Sequence, residues 1–169
     1  MSLKVGDQLP DGELKETTEF DSATQCAMAP KDVKVADAVK GKKIAIFGVP
    51  GAYTPTCSAK HVPGYVEQLP QLLAKKVDEV WCVSLNDGFV MAAWGRDQKA
   101  IGKVRMLGDG NGELTKKLGL EVDLSVAGLG LRLQRFSMLV DDGVVKQLNV
   151  EAPGKFEVSD AATTLKQLG

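Results

Sequence analysis

Two short, mostly apolar runs, each followed by a helix-like pattern, constrain most strongly what this chain can fold into. One run covers residues 43–49 and ends at Pro50, and the other covers residues 80–85. Runs of this length and composition are typical of strands that are covered on both faces. The order strand, helix, strand, helix predicts an α/β fold with a mainly parallel sheet, right-handed crossovers and a ligand site at the carboxyl ends of the strands.

The helix after the first strand has a marked beginning and two prolines. Apolar residues recur at helical spacing from residue 56 to about residue 76, and Thr54 or Thr56 is available as the N-cap. Pro63 and Pro70 fall inside this pattern. A proline in a helix interior removes a hydrogen bond, so we expect the helix to be kinked or split.

The rest of the chain divides into short elements. Residues 3–35 are expected to be irregular, with a short apolar alternation at Leu14 and Phe20 that is compatible with a hairpin. The further expected elements are a helix at about 89–100, a short helix at 112–118, strands at 135–140 and 144–150, and a closing helix at 159–168. The sequence Asp-Asp-Gly between the last two strands indicates a β-hairpin.

Length and charge exclude several classes of function. The chain has 169 residues, which predicts one domain over residues 1–169. Its 21 basic and 22 acidic residues give a net charge of -1, so we expect neither a nucleic-acid nor a membrane partner. The sequence has no apolar stretch of ~18 residues and no secretory pattern at its start. A cytoplasmic location is therefore expected.

The cysteines limit the chemistry further. There are three, at positions 26, 57 and 82, and one histidine. This set is too small for a disulfide scaffold or a zinc site. We therefore expect no metal, and any chemistry of the thiols is redox or nucleophilic.

Cys57 lies where a buried strand gives way to a helix N-terminus. Free amide groups and the positive end of the helix dipole favour a thiolate at that position. Thr54 precedes it by one helical turn, so its hydroxyl can bond the sulfur or a substrate oxygen. The alternative is that Cys57 is a small buried apolar residue and Thr54 an ordinary helix cap.

A resemblance to a known family favours the reactive interpretation. The pattern Pro-x-x-x-Thr-x-x-Cys, formed by Pro50, Thr54 and Cys57, resembles the active-site signature of the peroxiredoxins. The longer run GVPGAYTPTCSAKHVPGYVEQ is similar to the peroxiredoxin 5-like, or type II, subfamily. WCVSLNDGFVMAAW and RLQRFSMLVDDGVVKQLNVE follow in the subfamily's order, so the match covers roughly residues 35–155. It implies a thioredoxin-like fold: a mixed, mainly parallel central sheet flanked by helices, with a C-terminal β-hairpin.

The resemblance also implies a role for each site residue. Cys57 would be the peroxidatic cysteine, whose thiolate attacks a peroxide and becomes a sulfenic acid. Thr54 would hydrogen-bond the peroxide and the thiolate, and Pro50 would cover the site. Arg135 would place a guanidinium beside the sulfur. Arg132 is a weaker candidate for the same role. The alternative interpretation of Arg135 is a strand residue that forms a salt bridge.

The roles expected for other residues near the signature are less specific. His61 follows Cys57 by four residues, which puts an imidazole near the thiolate, where it would tune the sulfur or simply pack. Tyr53 and Phe136 are expected to line the pocket or a subunit interface.

The route by which the sulfenic acid is resolved is open at this stage. Cys82 matches the position of the resolving thiol described for plant type II relatives, yet its neighbours place it inside the sheet. A disulfide needs Cα atoms within about 7 Å, so the helix start at Cys57 would have to unwind. The C-terminal cysteine of animal relatives has no counterpart in residues 151–169. The choices are a Cys57–Cys82 disulfide or direct attack by an external thiol. Cys26 lies in the irregular N-terminal region, outside the matched part of the chain.

The expected function is therefore a thiol-dependent peroxidase without a cofactor that reduces hydrogen peroxide and small alkyl hydroperoxides. By resemblance, its reductant would be glutathione with glutaredoxin, or thioredoxin, and the protein would be a homodimer. A non-catalytic thioredoxin-like module for redox sensing or binding is the main alternative. A cysteine-dependent hydrolase or acyltransferase is a second alternative.

Overall fold

The computed structural model describes residues 2–169, which form a layered structure of helices around a central sheet. The strands are β1 Glu13–Glu16, β2 Lys31–Lys34, β3 Lys43–Gly48, β4 Glu79–Ser84, β5 Arg105–Gly108, β6 Glu121–Asp123, β7 Leu131–Leu133, β8 Phe136–Asp141 and β9 Val144–Val150. The helices are α1 Val35–Ala38, α2 Val62–Ala74, α3 Gly88–Asp97, α4 Glu113–Leu118 and α5 Ala161–Leu168. A π-helical turn, Cys57–His61, leads directly into α2. Within these residues, no helix is long and apolar enough to cross a membrane.

The central sheet has the strand order β2-β1-β5-β4-β3-β8-β9. Its middle is parallel, because β4 pairs in parallel with both β3 and β5. The flanking pairings are antiparallel, and β8 and β9 form the C-terminal hairpin. β6 and β7 make a separate antiparallel pair. The predicted mixed α/β fold, thioredoxin-like with a C-terminal hairpin, is confirmed.

Alternation along the central strands divides the interior into two cores. In β3, Ile44 and Ile46 lie in one core, and Ala45 and Phe47 lie in the other. This follows from the period of two, which sends successive side chains to opposite faces of a sheet. Cys82 of β4 pairs with Phe47 in register and shares its core. Because both faces are buried, these strands appear in sequence as continuous apolar runs.

Helices cover both faces of the sheet. α2, α3 and α5 lie on the face of Phe47 and contribute buried residues that include Tyr65 and Trp94. α1 and α4 lie on the opposite face and contribute Val35 and Leu114. Cys57 belongs to the core on the Phe47 face. The candidate nucleophile is therefore placed between the sheet and the helices, beyond the carboxyl end of β3.

The sequence predicted that the prolines would kink or split the helix after β3, and the structure shows that this helix is not split. α2 runs without interruption from Val62 to Ala74, with Pro63 in its first turn and Pro70 in its interior. Pro63 is tolerated because the first N–H groups of a helix have no partner within it. The irregularity lies before the prolines, in the π-helical turn, where the Val62 amide donates to the Cys57 carbonyl.

The N-terminal region is more regular than expected. Leu14 lies in β1 and pairs with Val33 of β2, whereas Phe20 lies outside the strands and makes one isolated bridge with Ala27. The predicted hairpin therefore exists, but its second strand lies further along the chain. β5 was not predicted, because four residues that begin with an arginine are too few to show a pattern.

Candidate active site

Cys57 is the first residue of the π-helical turn and is fully buried. The loop between β3 and this turn begins after Gly48 and reverses at Tyr53, whose φ of 63° is left-handed. Gly48 leaves room for the ring of Phe136, which a Cβ at this position would overlap. The end of β3, the loop and the turn thus form one packed unit that fixes the position of the sulfur.

Two polar groups contact the Cys57 sulfur. The Thr54 hydroxyl lies 2.9 Å from Sγ, and Nη2 of Arg135 lies 3.1 Å from it. The same hydroxyl lies 2.7 Å from the Gly51 carbonyl oxygen. A hydroxyl has one proton to donate, so it can satisfy the sulfur or the carbonyl but not both at once. Arg135 can only donate, and its charge favours a thiolate in this place.

Arg135 lies between β7 and β8 and is held on several sides. Nη1 contacts Nδ1 of His61 at 2.9 Å, while Nη2 reaches the sulfur. Its carbonyl accepts a hydrogen bond from the Glu151 amide at 2.9 Å. The guanidinium carbon lies 5.8 Å from the centre of the Phe156 ring. The expected placement of this guanidinium beside Cys57 is therefore what the structure shows.

His61 is buried behind Arg135. Nε2 lies 3.0 Å from the Ser159 carbonyl oxygen, and the ring packs between Phe47 and Phe156. Burial, together with the charge of Arg135, lowers the pKa of His61 to about 3. The imidazole is therefore neutral at physiological pH. It contacts the guanidinium, and through Arg135 it is linked to the sulfur.

Pro50 and Arg132 form one border of the site. Nη1 of Arg132 donates to the Pro50 carbonyl at 3.1 Å, and Nε donates to the Leu129 carbonyl at 2.8 Å. Gly51 allows this approach, since a Cβ there would lie 2.7 Å from Nη1 of Arg132. Arg132 thus donates to loop carbonyls, whereas Arg135 donates to the Cys57 sulfur.

A cavity of ≈ 450 Å³ lies beside this group. Its walls include Pro50, Thr56 and Arg135 on the side of the π-helical turn. The lining also includes Val122, Leu124 and the C-terminal segment that carries Phe156. The remaining lining residues are Gln134, Glu151, Ala152, Pro153, Gly154 and Lys155. The guanidinium that contacts the sulfur therefore also borders a space large enough for a small molecule.

The other two cysteines differ sharply in their surroundings. Cys82 is fully buried in β4, and burial, with a further contribution from the nearby Cys57 sulfur, raises the pKa of its thiol well above the ordinary value. Cys26 is exposed in the loop between β1 and β2. All three cysteines lie within residues 2–169 and are unpaired there.

Tyr53 and Phe136, both expected to line the pocket or a subunit interface, lie in different surroundings. Tyr53 is exposed, and its hydroxyl donates to Asp97 of α3 at 2.7 Å. Phe136 is fully buried in the core on the face of the sheet opposite Phe47. The expectation that Phe136 lines the pocket or an interface was wrong, because the missing side chain at Gly48 lets its ring pack inside the sheet layer.

Three further residues support the site and were not predicted. Ser159, Glu151 and Phe156 belong to the segment between β9 and α5, and they contact His61 or Arg135. They follow Cys57 by more than ninety residues. No spacing pattern links them to the signature, so only the folded chain brings them to it.

Comparison with known proteins identifies the family of this chain. The family model described as Redoxin matches residues 4–165. Peroxiredoxin-2B of Arabidopsis thaliana is 48% identical over 166 residues, which is 98% of this chain and 98% of that protein.

Solved structures match over nearly the whole chain. Reduced Prx3 of Vibrio vulnificus, in complex with H₂O₂, is 46% identical and superposes with a TM-score of 0.90 over 99% of each chain. A Burkholderia cenocepacia structure described as a thioredoxin reductase is 56% identical, with a TM-score of 0.94 over 100% of this chain and 99% of that one. That description names another enzyme, whereas the family model and the Arabidopsis thaliana and Vibrio vulnificus relatives agree on the family. This chain belongs to the peroxiredoxin family, the thiol-dependent peroxidases.

Proposed function

We propose that Cys57 is the peroxidatic nucleophile of this peroxidase. The observation that supports this assignment best is the placement of its sulfur between the Thr54 hydroxyl and the Arg135 guanidinium. In the Vibrio vulnificus relative, the solved complex contains H₂O₂. For this chain we propose hydrogen peroxide and small alkyl hydroperoxides as substrates.

The chemical step transfers two electrons from sulfur to the peroxide. The Cys57 thiolate forms an S–O bond with the terminal oxygen of ROOH, and the O–O bond breaks. The leaving alkoxide takes a proton and departs as alcohol, or as water when the substrate is hydrogen peroxide. The product on the enzyme is a sulfenic acid.

The neighbouring groups assist this step in different ways. Arg135 stabilises the thiolate and the negative charge that develops on the peroxide oxygens. Thr54 donates its single proton to the sulfur before reaction, and to a peroxide oxygen once the substrate is bound. Pro50, which borders the cavity together with Arg135, limits the access of water to the reacting atoms.

For resolution, we propose that an external thiol attacks the sulfenic acid. A resolving cysteine must act as a thiolate, and burial raises the pKa of the Cys82 thiol well above the ordinary value. The first external thiol forms a mixed disulfide with Cys57 and releases water. A second thiol displaces the Cys57 thiolate and leaves as a disulfide. Glutathione with glutaredoxin, or thioredoxin, can supply these thiols.

We further propose that two copies of the chain associate beside the active-site loops. Tyr53, Val126 and Leu131 are exposed there, and Arg132 joins the two loops by donating to the Leu129 and Pro50 carbonyls. Sedimentation velocity is expected to show a dimer, and Val126→Glu is expected to shift it toward the monomer. A monomeric parent protein would contradict this proposal.

The experiment that tests the function compares Cys57→Ser with Cys26→Ser. Peroxide consumption in the presence of excess thiol should be abolished in the first variant and unchanged in the second, while circular dichroism shows both folded. Retention of more than a few per cent of activity in Cys57→Ser would contradict the assignment of the nucleophile.

A further inference from the structure

The guanidinium of Arg135 forms a hydrogen bond with the neutral imidazole of His61. Nη1 of Arg135 lies 2.9 Å from Nδ1 of His61. A guanidinium donates and never accepts, so Nδ1 must present its lone pair. The proton of the neutral ring is then on Nε2, which donates to the Ser159 carbonyl at 3.0 Å. A doubly protonated ring would place an N–H against the guanidinium and break this contact.

Ser159 is held in place by an internal carboxylate. Its amide and its hydroxyl both donate to Oε2 of Glu151, at 2.8 and 2.7 Å. The amides of Glu157 and Val158 donate to the same carboxylate. These hydrogen bonds lower the pKa of Glu151 although burial alone would raise it. The carboxylate therefore stays ionised and orders the segment 151–159.

The contacts close into a ring around Arg135. The Glu151 amide donates to the Arg135 carbonyl at 2.9 Å, and the Glu151 carboxylate holds Ser159. Ser159 accepts from His61, and His61 accepts from the Arg135 guanidinium. Both the backbone and the side chain of Arg135 are thus fixed by the same C-terminal segment. Nη2 is the part of the guanidinium that contacts the Cys57 sulfur.

From this geometry we infer that His61 is a positioning residue: it holds the Arg135 guanidinium on the Cys57 sulfur and couples the order of segment 151–159 to the reactivity of the thiol. The inference rests on the proposed role of Cys57. His61 acts as a fixed acceptor and takes no proton in the reaction. Its low pKa, about 3, agrees with a ring that stays neutral throughout.

The tautomer can be observed directly, because the sequence contains one histidine. In protein labelled with ¹⁵N-histidine, the single imidazole should show a protonated Nε2 and an unprotonated Nδ1, unchanged from neutral pH down to about pH 4. A proton on Nδ1, or titration near pH 6.5, would overturn the inference. This readout does not depend on peroxidase activity, so it stands even if the proposed function fails.

Kinetics test the positioning role. His61→Phe keeps a buried ring but removes the acceptor, and sulfenic acid formation in a single turnover should slow by roughly tenfold or more. His61→Gln can accept from Arg135 and donate to Ser159, so it should restore most of the rate. The matched control is Tyr65→Phe, which removes the other side-chain donor to the Ser159 carbonyl without a contact to Arg135.

The outcomes separate positioning from general destabilisation. We expect slow oxidation of Cys57 in His61→Phe and the parent rate in Tyr65→Phe. Equal losses in both variants would show that the segment matters only for stability, and a fast, folded His61→Phe would show that Arg135 needs no support. If His61→Phe does not fold, a His61→Gln variant slower by roughly tenfold would overturn the inference. No oxidation even in the parent would instead contradict the proposed function.

Discussion

At the scale of single residues, the reactivity of Cys57 depends on the two polar side chains that contact its buried sulfur. Within residues 2–169, the Thr54 hydroxyl and the Arg135 guanidinium are the groups that hydrogen-bond Cys57 Sγ. In a site this enclosed, a donor is worth more than in water, because little solvent is present to replace it. Substitutions of these groups should therefore change the rate of oxidation far more than the stability of the fold.

Thr54→Val is expected to slow sulfenic acid formation by roughly 10- to 100-fold, because it removes a donor that is aimed at the reacting atoms. Thr54→Ser keeps the hydroxyl and should lie close to the parent. Rapid-mixing measurements of Cys57 oxidation under pseudo-first-order peroxide would show the difference. Similar rates for the valine and serine variants would mean that the hydroxyl serves only the Gly51 carbonyl.

Cys82→Ser is expected to keep thiol-dependent turnover. The Cys82 thiol is buried, and its raised pKa keeps it protonated at neutral pH. Peroxide consumption with each candidate reductant is the measurement, and Cys26→Ser is the matched control. Loss of turnover in Cys82→Ser alone would reverse the proposal of external resolution.

At the scale of elements, the loop after β3 is fixed from three sides. Oδ1 of Asn86, after β4, accepts from the Ala52 amide at 2.9 Å. Arg132 donates to the Pro50 carbonyl. At the start of the loop, the Phe136 ring occupies the place of a side chain at Gly48. The position of the reactive thiol therefore depends on packing between neighbouring strands as much as on its own helix.

Two glycine substitutions should have opposite effects on stability. Gly48→Ala forces a Cβ into the Phe136 ring and should lower the free energy of unfolding by roughly 1–3 kcal/mol. Gly64→Ala places its Cβ in open space on α2 and should raise it by about 0.5–1 kcal/mol. Chemical denaturation of both variants and the parent measures these changes. Equal stability of the two variants would contradict the packing described at Gly48.

The sequence predicted β3, β4 and the C-terminal hairpin well, and β5 and the N-terminal strands poorly, for physical reasons. β3 and β4 are buried on both faces, so their apolar runs are continuous. β5 and the pairing of β1 with β2 depend on tertiary contacts that leave little trace in short segments. The signature marked Pro50, Thr54 and Cys57, whereas Ser159 and Glu151 are common residue types whose role arises only from the fold.

At the scale of the whole molecule, an ionic cluster joins strands on the side of the sheet away from the site. Arg105 of β5 binds Glu16 of β1 and Glu79 of β4, at 2.7 and 2.9 Å. Lys42 and the Trp81 indole also donate to the Glu79 carboxylate. The cluster therefore links three neighbouring strands, β1, β5 and β4, that are distant from one another in sequence. The predicted organisation as one domain over residues 1–169 stays a prediction.

Glu79 should make stability depend on pH in the acid range. Burial alone would raise its pKa, but the bonds from Lys42, Trp81 and Arg105 outweigh burial and lower the pKa from 4.5 to about 2. Its contribution is therefore complete above pH 4.5 and is lost as the pH falls toward 2. The stability difference between the parent and Glu79→Gln should shrink over that interval. A difference independent of pH would contradict this account.

The most direct test of the central claim is the intact mass of the reduced protein after one equivalent of hydrogen peroxide, quenched within seconds. The account predicts a gain of one oxygen, located at Cys57, in the parent and in Cys82→Ser, and no gain in Cys57→Ser. A loss of two hydrogens in the parent would indicate an internal disulfide and contradict external resolution. No rapid change in the parent, or oxidation at another residue, would contradict the assignment of Cys57 as the peroxidatic nucleophile.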